Sequence, residues 1–220
     1  MVDVVLEVDG SRILDGISLA MAGDGISVIV GESGSGKSTL LRLCNRLEVP
    51  TSGVVRFRGV DIAALDPLEL RRDVGMVFQR PTLFPGTVRD NLRVAAPDAG
   101  DERLRAALAD VGLAASFLDR VGDELSGGEA QRACLARTLV TEPDVLLMDE
   151  VTSSLDPRAA RLLEDLTVDL AQRGVAVLWV SHDLEQATRL GDDPVVLMAG
   201  RLASAEERAA FLDPSTGCDL

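Results

Sequence analysis

Several residue types are nearly absent from this sequence of 220 residues. It contains no tyrosine, a single histidine, a single lysine and one tryptophan, and only 3% of its residues are aromatic. Because His182 is the one histidine, the chain has no multi-histidine metal site. The three cysteines, Cys44, Cys134 and Cys218, are odd in number and widely spaced. This usage favours reduced thiols in a cytosolic protein over a disulfide framework or a cysteine metal site.

Long apolar runs and an excess of basic residues are also lacking. No apolar run approaches the ~18 residues that a membrane-spanning helix needs, and the N-terminus MVDVVLEVDG lacks the regions of a secretory signal. The formal net charge of −14 argues against a nucleic-acid surface and against direct docking on an anionic membrane. We therefore expect a cytoplasmic protein that binds no nucleic acid. Its length allows one α/β core with an insertion, or two small lobes.

The single lysine, Lys37, lies within GESGSGKS (residues 31–38), which matches the phosphate-loop pattern G-x-x-x-x-G-K-[ST] at every fixed position. The apolar run Ile26–Val30 predicts a buried strand before this loop, and residues 38–47 have the spacing of an amphipathic helix. Strand, glycine turn and helix together direct backbone N–H groups at an anion. A structural glycine turn is the alternative, but this context favours a nucleotide phosphate site. Its predicted residues are Gly31, Glu32, Ser33, Gly34, Ser35, Gly36, Lys37, Ser38 and Thr39.

Every other basic residue in the chain is an arginine. A lysine ammonium is a compact point charge that can lie between β- and γ-phosphates, where a planar guanidinium does not fit. The restriction of lysine to this one turn therefore supports a specific chemical role for Lys37.

The pattern of apolar residues in the rest of the chain predicts strands and helices on both sides of one long helical stretch. Val2–Val8 alternates imperfectly and predicts an edge strand, followed by strands at 13–21, 53–57 and 74–77. Residues 87–140 are helical in pattern, and strands and helices alternate again after them. This order predicts an α/β fold, with a parallel sheet covered on both faces and an inserted helical lobe.

Two carboxylates follow the apolar strand predicted at 145–148. Asp149 would lie at the carboxyl end of that strand beside the phosphate loop, where open α/β sheets bind ligands. There it can hold Mg²⁺ through a water, with Ser38 as a direct ligand. Glu150 follows and can act as a general base that polarises an attacking water. Two carboxylates that simply open a loop are the alternative, which the preceding phosphate loop disfavours.

Ser126 and Glu129 have the spacing of a helix capping box, with Gly127 and Gly128 between them. The two glycines leave the backbone open, so an anion can approach the N-terminus of the helix that follows. For this spacing alone, an ordinary capped helix is the alternative.

Six motifs in the same order make the chain similar to the ATPases of ABC transporters, and the resemblance covers about residues 4–200. The matching elements are Walker A (31–38), the Q-loop glutamine Gln79, the signature motif LSGGEAQR (125–132), Walker B (145–150), the D-loop SSLD (153–156) and the switch histidine His182. By itself, Gln79 would more often be a solvated loop amide, and His182 would more often be structural. Their positions in the set favour roles at the γ-phosphate and Mg²⁺.

The resemblance implies a P-loop NTPase fold in a single domain over 1–220. Its RecA-like core would comprise 1–86 and 141–220, with an antiparallel β edge. The inserted helical subdomain, which carries the signature motif, would comprise 87–140.

The resemblance also implies the chemistry of the site. Lys37 and the loop amides would hold the β- and γ-phosphates of ATP. The implied ligands of Mg²⁺ are Ser38, Gln79 and Asp149. The implied catalytic residues are Glu150, which polarises water, together with His182 and Gln79.

Two partners are implied as well. Ser126, Gly127 and Gly128 would close the nucleotide site of a second copy, in a head-to-tail dimer that encloses two ATP molecules. Asp156 of the D-loop is a further implied nucleotide-binding residue. With no membrane span in the sequence, the pore would be a separate permease. That permease would hold the protein at the inner face of the cell membrane.

The chain departs from the family at the adenine site. The family usually stacks adenine on an aromatic residue, whereas Val8 is the nearest equivalent here, with Arg12 as a possible stacking guanidinium. Base stacking contributes ~1–3 kcal/mol in other proteins. Its loss would weaken nucleotide affinity and base selectivity, and would leave the phosphate chemistry intact.

The transported solute is the least determined feature. The sequence PTLFPGTVRDNL (81–92), with DEVTS (149–153) and VLWV (177–180), is similar to ATPases of the bacterial iron-efflux type. The stretches 44–47 and 76–79 resemble phosphate-import ATPases, so solute import is the alternative. A soluble ABC ATPase of DNA repair or the ribosome is a further alternative, but the chain is too short for their insertions or tandem cassettes. A regulatory module without turnover is disfavoured by the presence of both Glu150 and His182.

Overall fold

A computed structural model describes residues 1–213, and Cys218 lies outside the described residues. The strands are β1 (Val2–Val8), β2 (Ser11–Ile17), β3 (Ile26–Val30), β4 (Ser52–Val54), β5 (Arg56–Phe57), β6 (Val60–Asp61), β7 (Val74–Val77), β8 (Val145–Asp149), β9 (Ala176–Ser181), β10 (Val195–Met198) and β11 (Arg201–Leu202). The helices are α1 (Lys37–Cys44), α2 (Pro67–Asp73), α3 (Val88–Ala95), α4 (Asp101–Asp110), α5 (Gly127–Leu139), α6 (Pro157–Gln172), α7 (Leu184–Leu190) and α8 (Ala205–Leu212). Short 3-10 helices occur at Ile62–Ala64, Ala115–Asp119 and Gly122–Glu124.

The main sheet has six strands in the order β11-β10-β3-β9-β8-β7. Strands β10, β3, β9, β8 and β7 are parallel, and β11 is antiparallel to β10. Alternate side chains enter two separate apolar clusters: Val177 and Trp179 belong to one, and Leu178 and Val180 belong to the other. Burial on both faces explains why these strands are continuously apolar. The predicted α/β fold with a parallel sheet is confirmed.

The N-terminal sheet corrects one expectation from the sequence. Val2–Val8 was expected at an edge, but β1 is the middle strand of the order β2-β1-β4. Its inward side chains Val4 and Leu6 are buried, and irregular registers on both sides account for the imperfect alternation. The predicted second strand also ends earlier than expected, at Ile17.

The predicted strand at 53–57 is interrupted. Val55 separates β4 from β5, and β5 pairs with β6 in a small hairpin of its own. Val55 is itself buried, with 5% of its surface exposed. The apolar pattern of residues 53–57 is therefore continuous in sequence, although the backbone pairs with β1 before Val55 and with β6 after it.

Between β7 and β8 the chain forms α3, α4 and α5, as the helical pattern predicted. Leu92, Leu108 and Leu135 from these helices share one buried cluster with Met148 of the main sheet. The division into a core and a helical subdomain at residues 87 and 140 stays a prediction. Among the described residues, no helix is long and apolar enough to cross a membrane.

Candidate active site

The phosphate loop joins β3 to α1 and packs closely against two other strands. A Cβ added at Gly31 would lie 2.1 Å from the carbonyl oxygen of Leu197 in β10. One added at Gly36 would lie 2.8 Å from the side chain of Leu14 in β2. Gly36 has φ +102°, a conformation that glycine adopts without a Cβ penalty. These glycines therefore let the loop lie directly against its neighbours.

Lys37 begins α1, and its side chain folds back into the loop. Only 4% of this residue is exposed, and Nζ donates to the carbonyl oxygens of Gly31 at 2.8 Å and Glu32 at 2.9 Å. Helix α1 has no side-chain N-cap and no acidic residue in its first turn. The loop thus combines a buried positive charge with uncapped helical N–H groups, which together favour binding of a phosphate.

Ser38 and Asp149 form a pair of oxygen donors beside Lys37. The Ser38 hydroxyl donates to Oδ1 of Asp149 at 2.7 Å, and Asp149 is 4% exposed. Burial raises the pKa of this carboxyl, while the hydrogen bond from Ser38 acts in the opposite direction. Within residues 1–213, no group of three or more His, Cys, Asp or Glu side chains is placed to hold a metal ion. A sparse set of hard oxygen donors suits Mg²⁺, which keeps several waters and also uses substrate phosphates.

The predicted catalytic residues converge on Glu150. Its Oε2 lies 3.2 Å from Nε2 of Gln79 and 3.2 Å from Nδ1 of His182, and its Oε1 lies 3.6 Å from Nζ of Lys37. The Glu150 backbone has φ +45°, a conformation that costs free energy for a residue other than glycine. Its N–H donates to the carbonyl oxygen of Val180 at 3.1 Å and anchors this conformation to β9. The carboxylate is therefore held at the end of β8 between groups from three other segments.

The order of the strands explains this convergence. β7, β8 and β9 are adjacent and parallel, so the residues after their carboxyl ends lie at one edge of the sheet. Gln79 follows β7, Glu150 follows β8 and His182 follows β9. Nε2 of Gln79 also donates to Oγ of Ser153 at 3.2 Å, so the D-loop joins the same set of contacts. His182 has 57% of its side chain exposed, which leaves it accessible to a ligand.

The signature residues have different contacts. Ser126 forms a capping box with Glu129 at the start of α5, as the spacing predicted. A Cβ added at Gly128 would lie 3.2 Å from Cβ of Ala159 in α6. In the described part of the chain, no hydrogen bond joins Ser126, Gly127 or Gly128 to the phosphate loop.

Asp156 caps the start of α6. Its Oδ1 accepts from the backbone N–H groups of Arg158 at 3.0 Å and Ala159 at 3.1 Å. This carboxylate therefore has a local structural partner within its own chain, whatever it contacts in a complex.

Val8 ends β1 and is 46% exposed. Arg12 is held in ion pairs with Glu7 at 3.0 Å and Asp15 at 2.9 Å. The exposed hairpin where the family places an adenine-stacking aromatic thus presents an aliphatic side chain and a paired guanidinium.

Gln131, within the signature motif, had no predicted role. It is fully buried, and its Nε2 donates to the carbonyl oxygen of Phe78, the residue before Gln79, at 3.0 Å. The signature helix is thereby attached to the Q-loop. The sequence signal was a polar residue in a helix whose neighbours Ala133 and Leu135 are apolar.

Comparison with known proteins agrees with this geometry. The chain matches the ABC transporter family over residues 14–153. It is 45% identical over 199 residues to ABC transporter I family member 17 of Arabidopsis thaliana, covering 88% of this chain and 76% of that protein. It is 40% identical over 230 residues to the phosphate import ATP-binding protein PstB of Mycobacterium intracellulare, covering 97% of this chain and 80% of that protein.

A solved structure gives the same result. That of cbiO1 from Clostridium perfringens, described as part of the ABC transporter complex cbiONQ, matches with a TM-score of 0.83 and 27% identity, covering 97% of this chain and 94% of that one. The expected P-loop ATPase fold is confirmed, whereas the iron-efflux type receives no specific support. The protein belongs to the ABC transporter family and is one of its ATP-binding, ATP-hydrolysing domains.

Proposed function

We propose that this chain is the cytoplasmic motor subunit of a transporter, and that it hydrolyses ATP to drive a separate membrane permease. The observation that carries the proposal is the position of Glu150, between Gln79, His182 and the phosphate-loop lysine. A carboxylate beside an anion-binding loop is what activation of water at a bound γ-phosphate requires.

Lys37 would exchange its carbonyl partners in the loop for the β- and γ-phosphates. Lys37 begins α1, and its ammonium lies within the loop, where it donates to those carbonyl oxygens. Ser38 and Asp149 would hold Mg²⁺, together with Gln79. When bound, the ion neutralises phosphate charge and fixes the orientation of the phosphates.

Glu150 would accept a proton from the attacking water at Oε2. As that proton leaves, the water oxygen bonds to the γ-phosphorus and the bond to the oxygen of ADP breaks. Nδ1 of His182 and Nε2 of Gln79 would hold the carboxylate in the orientation that this step needs, since both lie 3.2 Å from the same oxygen.

The site would be completed by a second copy of the chain. Ser126, Gly127 and Gly128 form the open N-terminal turn of α5, which makes no hydrogen bond to the phosphate loop of its own chain within residues 1–213. Ser126 and Glu129 cap the helix, while Gly127 and Gly128 carry no side chains that would keep an anion from its N-terminal N–H groups. A head-to-tail dimer would bring this turn and Asp156 to the partner's nucleotide, with ATP bound between the two chains.

The permease would dock on the segment between the Q-loop and α3. Phe84 is 47% exposed, and the Arg137 guanidinium lies 4.9 Å from the centre of its ring. Phe78 is 43% exposed close by in the sequence. Exposed aromatic side chains with an arginine beside them are typical anchors of a protein interface.

Two directions of transport are candidates. Metal efflux is supported by the sequence of residues 81–92, which is similar to that of iron-efflux ATPases. Phosphate import is supported by the relative named for that activity, which is 40% identical over 97% of this chain. Cells that lack this chain should accumulate iron in the first case and lose phosphate uptake in the second.

The test of the proposed hydrolysis is Glu150→Gln. Loss of the base should lower the ATPase rate by roughly 100-fold or more while ATP affinity is retained. The variant should also migrate as a dimer in size-exclusion chromatography with Mg-ATP. Asp165→Asn, an exposed carboxylate on α6, is the matched control. A Glu150→Gln variant that hydrolyses ATP normally would contradict the assignment of the base.

A further inference from the structure

A buried polar cluster links three elements next to the site. Its centre is the amide of Gln186 in α7, which is 4% exposed. The indole N–H of Trp179 donates to Oε1 of Gln186 at 3.1 Å. Nε2 of Gln186 donates to Oγ1 of Thr152 at 2.9 Å and to Oε1 of Glu164 at 2.8 Å. Arg189 pairs with the same Glu164 carboxylate at 3.0 Å.

The chemistry of the amide makes Gln186 central to this cluster. It is the one side chain of the set that accepts from β9 and donates to two other segments at once. Both N–H donors of its amide are used. In a buried site, a group that loses its partner pays the desolvation cost in full, so the three bonds constrain one another.

The cluster reaches both sides of the reacting groups. Thr152 lies between Glu150 and Ser153, the two partners of Gln79. On the other side, the indole of Trp179 donates to the Gln186 side chain from β9, the strand that His182 follows. The backbone N–H of Gln186 also donates to Asp183, the N-cap of α7, at 3.1 Å, a bond that does not depend on the side chain at position 186. The Gln186 side chain therefore joins the segment after Glu150 to the strand that leads to His182.

An open cleft of about 330 Å³ lies along the same residues. Its lining includes Glu150, Thr152, His182 and Gln186. Val151, between Glu150 and Thr152, packs in the main apolar cluster and holds the Glu150 loop from the opposite side. The Gln186 side chain adds a polar connection from the Glu150 loop to β9, which leads into the His182 loop.

We propose that Gln186 is a positioning residue, whose side chain sets the separation of Glu150 and His182 by holding Thr152 to Trp179 in β9, the strand that His182 follows. The inference rests on the catalytic roles proposed above for Glu150 and His182. It assigns to Gln186 no contact with ATP. Its loss should therefore affect the rate of hydrolysis more than the binding of the nucleotide.

The first test compares Gln186→Met with Thr152→Val. Methionine has a similar volume to glutamine and forms no strong hydrogen bond, and valine removes the hydroxyl that accepts from Gln186. We expect each variant to lower kcat by roughly tenfold and to leave KM for ATP within about threefold of the wild-type value. Because both break the same connection, the double variant should be no more than about threefold slower than either single variant.

Thr167→Val is the matched control. Thr167 is buried in α6, and its hydroxyl donates to the carbonyl oxygen of Leu163 at 2.8 Å, within its own helix. Its removal takes a buried hydrogen bond from the same region without touching either loop. We expect kcat within about twofold of wild type, measured well below the melting temperature.

The fluorescence emission of Trp179 detects a general change in packing, because Trp179 is the one tryptophan in the chain. A variant that acts only through stability would shift this emission. Thr152→Val leaves the bond from Trp179 to Gln186 in place, so the emission spectrum should stay unchanged while kcat falls. Wild-type kcat in Gln186→Met would overturn the proposal, as would kcat losses that follow melting temperature in all three variants.

Glu150→Gln, assayed in parallel, separates the two hypotheses. If that variant is inactive while Gln186→Met is normal, only the positioning role fails; if it is active, the proposed base fails.

Discussion

Oε2 of Glu150 lies 3.2 Å from Nδ1 of His182, although 32 positions separate the two residues in the chain. Each follows the end of a buried parallel strand, and the two strands are paired in register, with Asp149 opposite Val180. The contact therefore depends on the register of β8 and β9, and not on any local sequence feature. Changes in that register would separate the Glu150 carboxylate from the His182 ring without altering either side chain.

Replacing Lys37 by arginine should be almost as harmful as replacing it by alanine. The ammonium is buried and donates to two carbonyl oxygens at 2.8 and 2.9 Å, a position that suits a compact point charge and not a planar guanidinium. We expect a loss of ATPase activity of roughly 100-fold in steady-state assays. Arg93→Lys, on α3, is the control and should be normal. Near-normal ATP affinity in the arginine variant would contradict the argument.

Base selectivity should be low. Val8 is aliphatic and half exposed, and Arg12 is engaged by Glu7 and Asp15. We expect GTP to bind within about tenfold of ATP, a difference of ~1.4 kcal/mol, in a competition titration. A hundredfold preference for ATP would show that another group supplies the stacking.

A gain-of-function variant tests the same point. Val8→Tyr adds an aromatic ring at the hairpin and should increase ATP affinity, by up to ~3 kcal/mol if the ring stacks fully on the base. Val8→Ile changes size without adding a π-face and should leave the affinity unaltered. Equal affinities for the tyrosine and isoleucine variants would place the adenine elsewhere.

Replacing Phe84 by alanine should uncouple the chain from its permease. The ring is 47% exposed, so its removal should cost little stability and leave the ATPase rate of the isolated subunit within about twofold. Recovery of the subunit with membranes, and transport, should fall. Leu68→Ala removes a side chain of α2 that is 69% exposed and serves as the control. Normal transport in the Phe84 variant would exclude this segment as the docking site.

The capping box of α5 should add stability that depends on pH. Hydrogen bonds from Ser126, with a further contribution from Arg120, lower the pKa of Glu129 below its ordinary value of 4.5. The contribution is therefore fully present above that value and is lost as the pH falls through the lower, folded-state pKa. Glu129→Gln keeps the cap geometry and removes the charge.

Thermal melts of wild type and Glu129→Gln should differ most near pH 7, by no more than about 3 °C. The gap should close as the acidity increases below pH 4.5. Glu102→Gln, an exposed carboxylate of α4, controls for charge removal elsewhere. A gap that stays constant across this range would show that the Glu129 charge is not responsible.

Local patterns predicted most of the elements correctly. The glycines and lysine of residues 31–38, the apolar strands and the Ser126 capping box all depend on neighbours in sequence, and the structure contains each of them. The errors lie where a partner is distant. Val2–Val8 was expected at an edge, but β4 pairs with its second side from about fifty residues away.

The buried polar contacts show the same limit. Gln131 and Gln186 each have their partners on other elements, at Phe78 and at Trp179, Thr152 and Glu164. Nothing in the residues next to either glutamine specifies those partners. Their identity follows from which helix packs over which strand end.

The sequence by itself determined which chemical groups are present and in what order: one lysine in a phosphate loop, Asp149 and Glu150 after an apolar strand, and His182 after another. These features depend on residue type and spacing, because loops, strands and helix caps form mainly through interactions between residues close in sequence. Only the tertiary structure decided which groups touch Glu150, and that the buried amide of Gln186 connects its loop to β9. The physical reason is that the order and register of parallel strands arise from packing both faces of the sheet, a property of the whole chain and of no single segment.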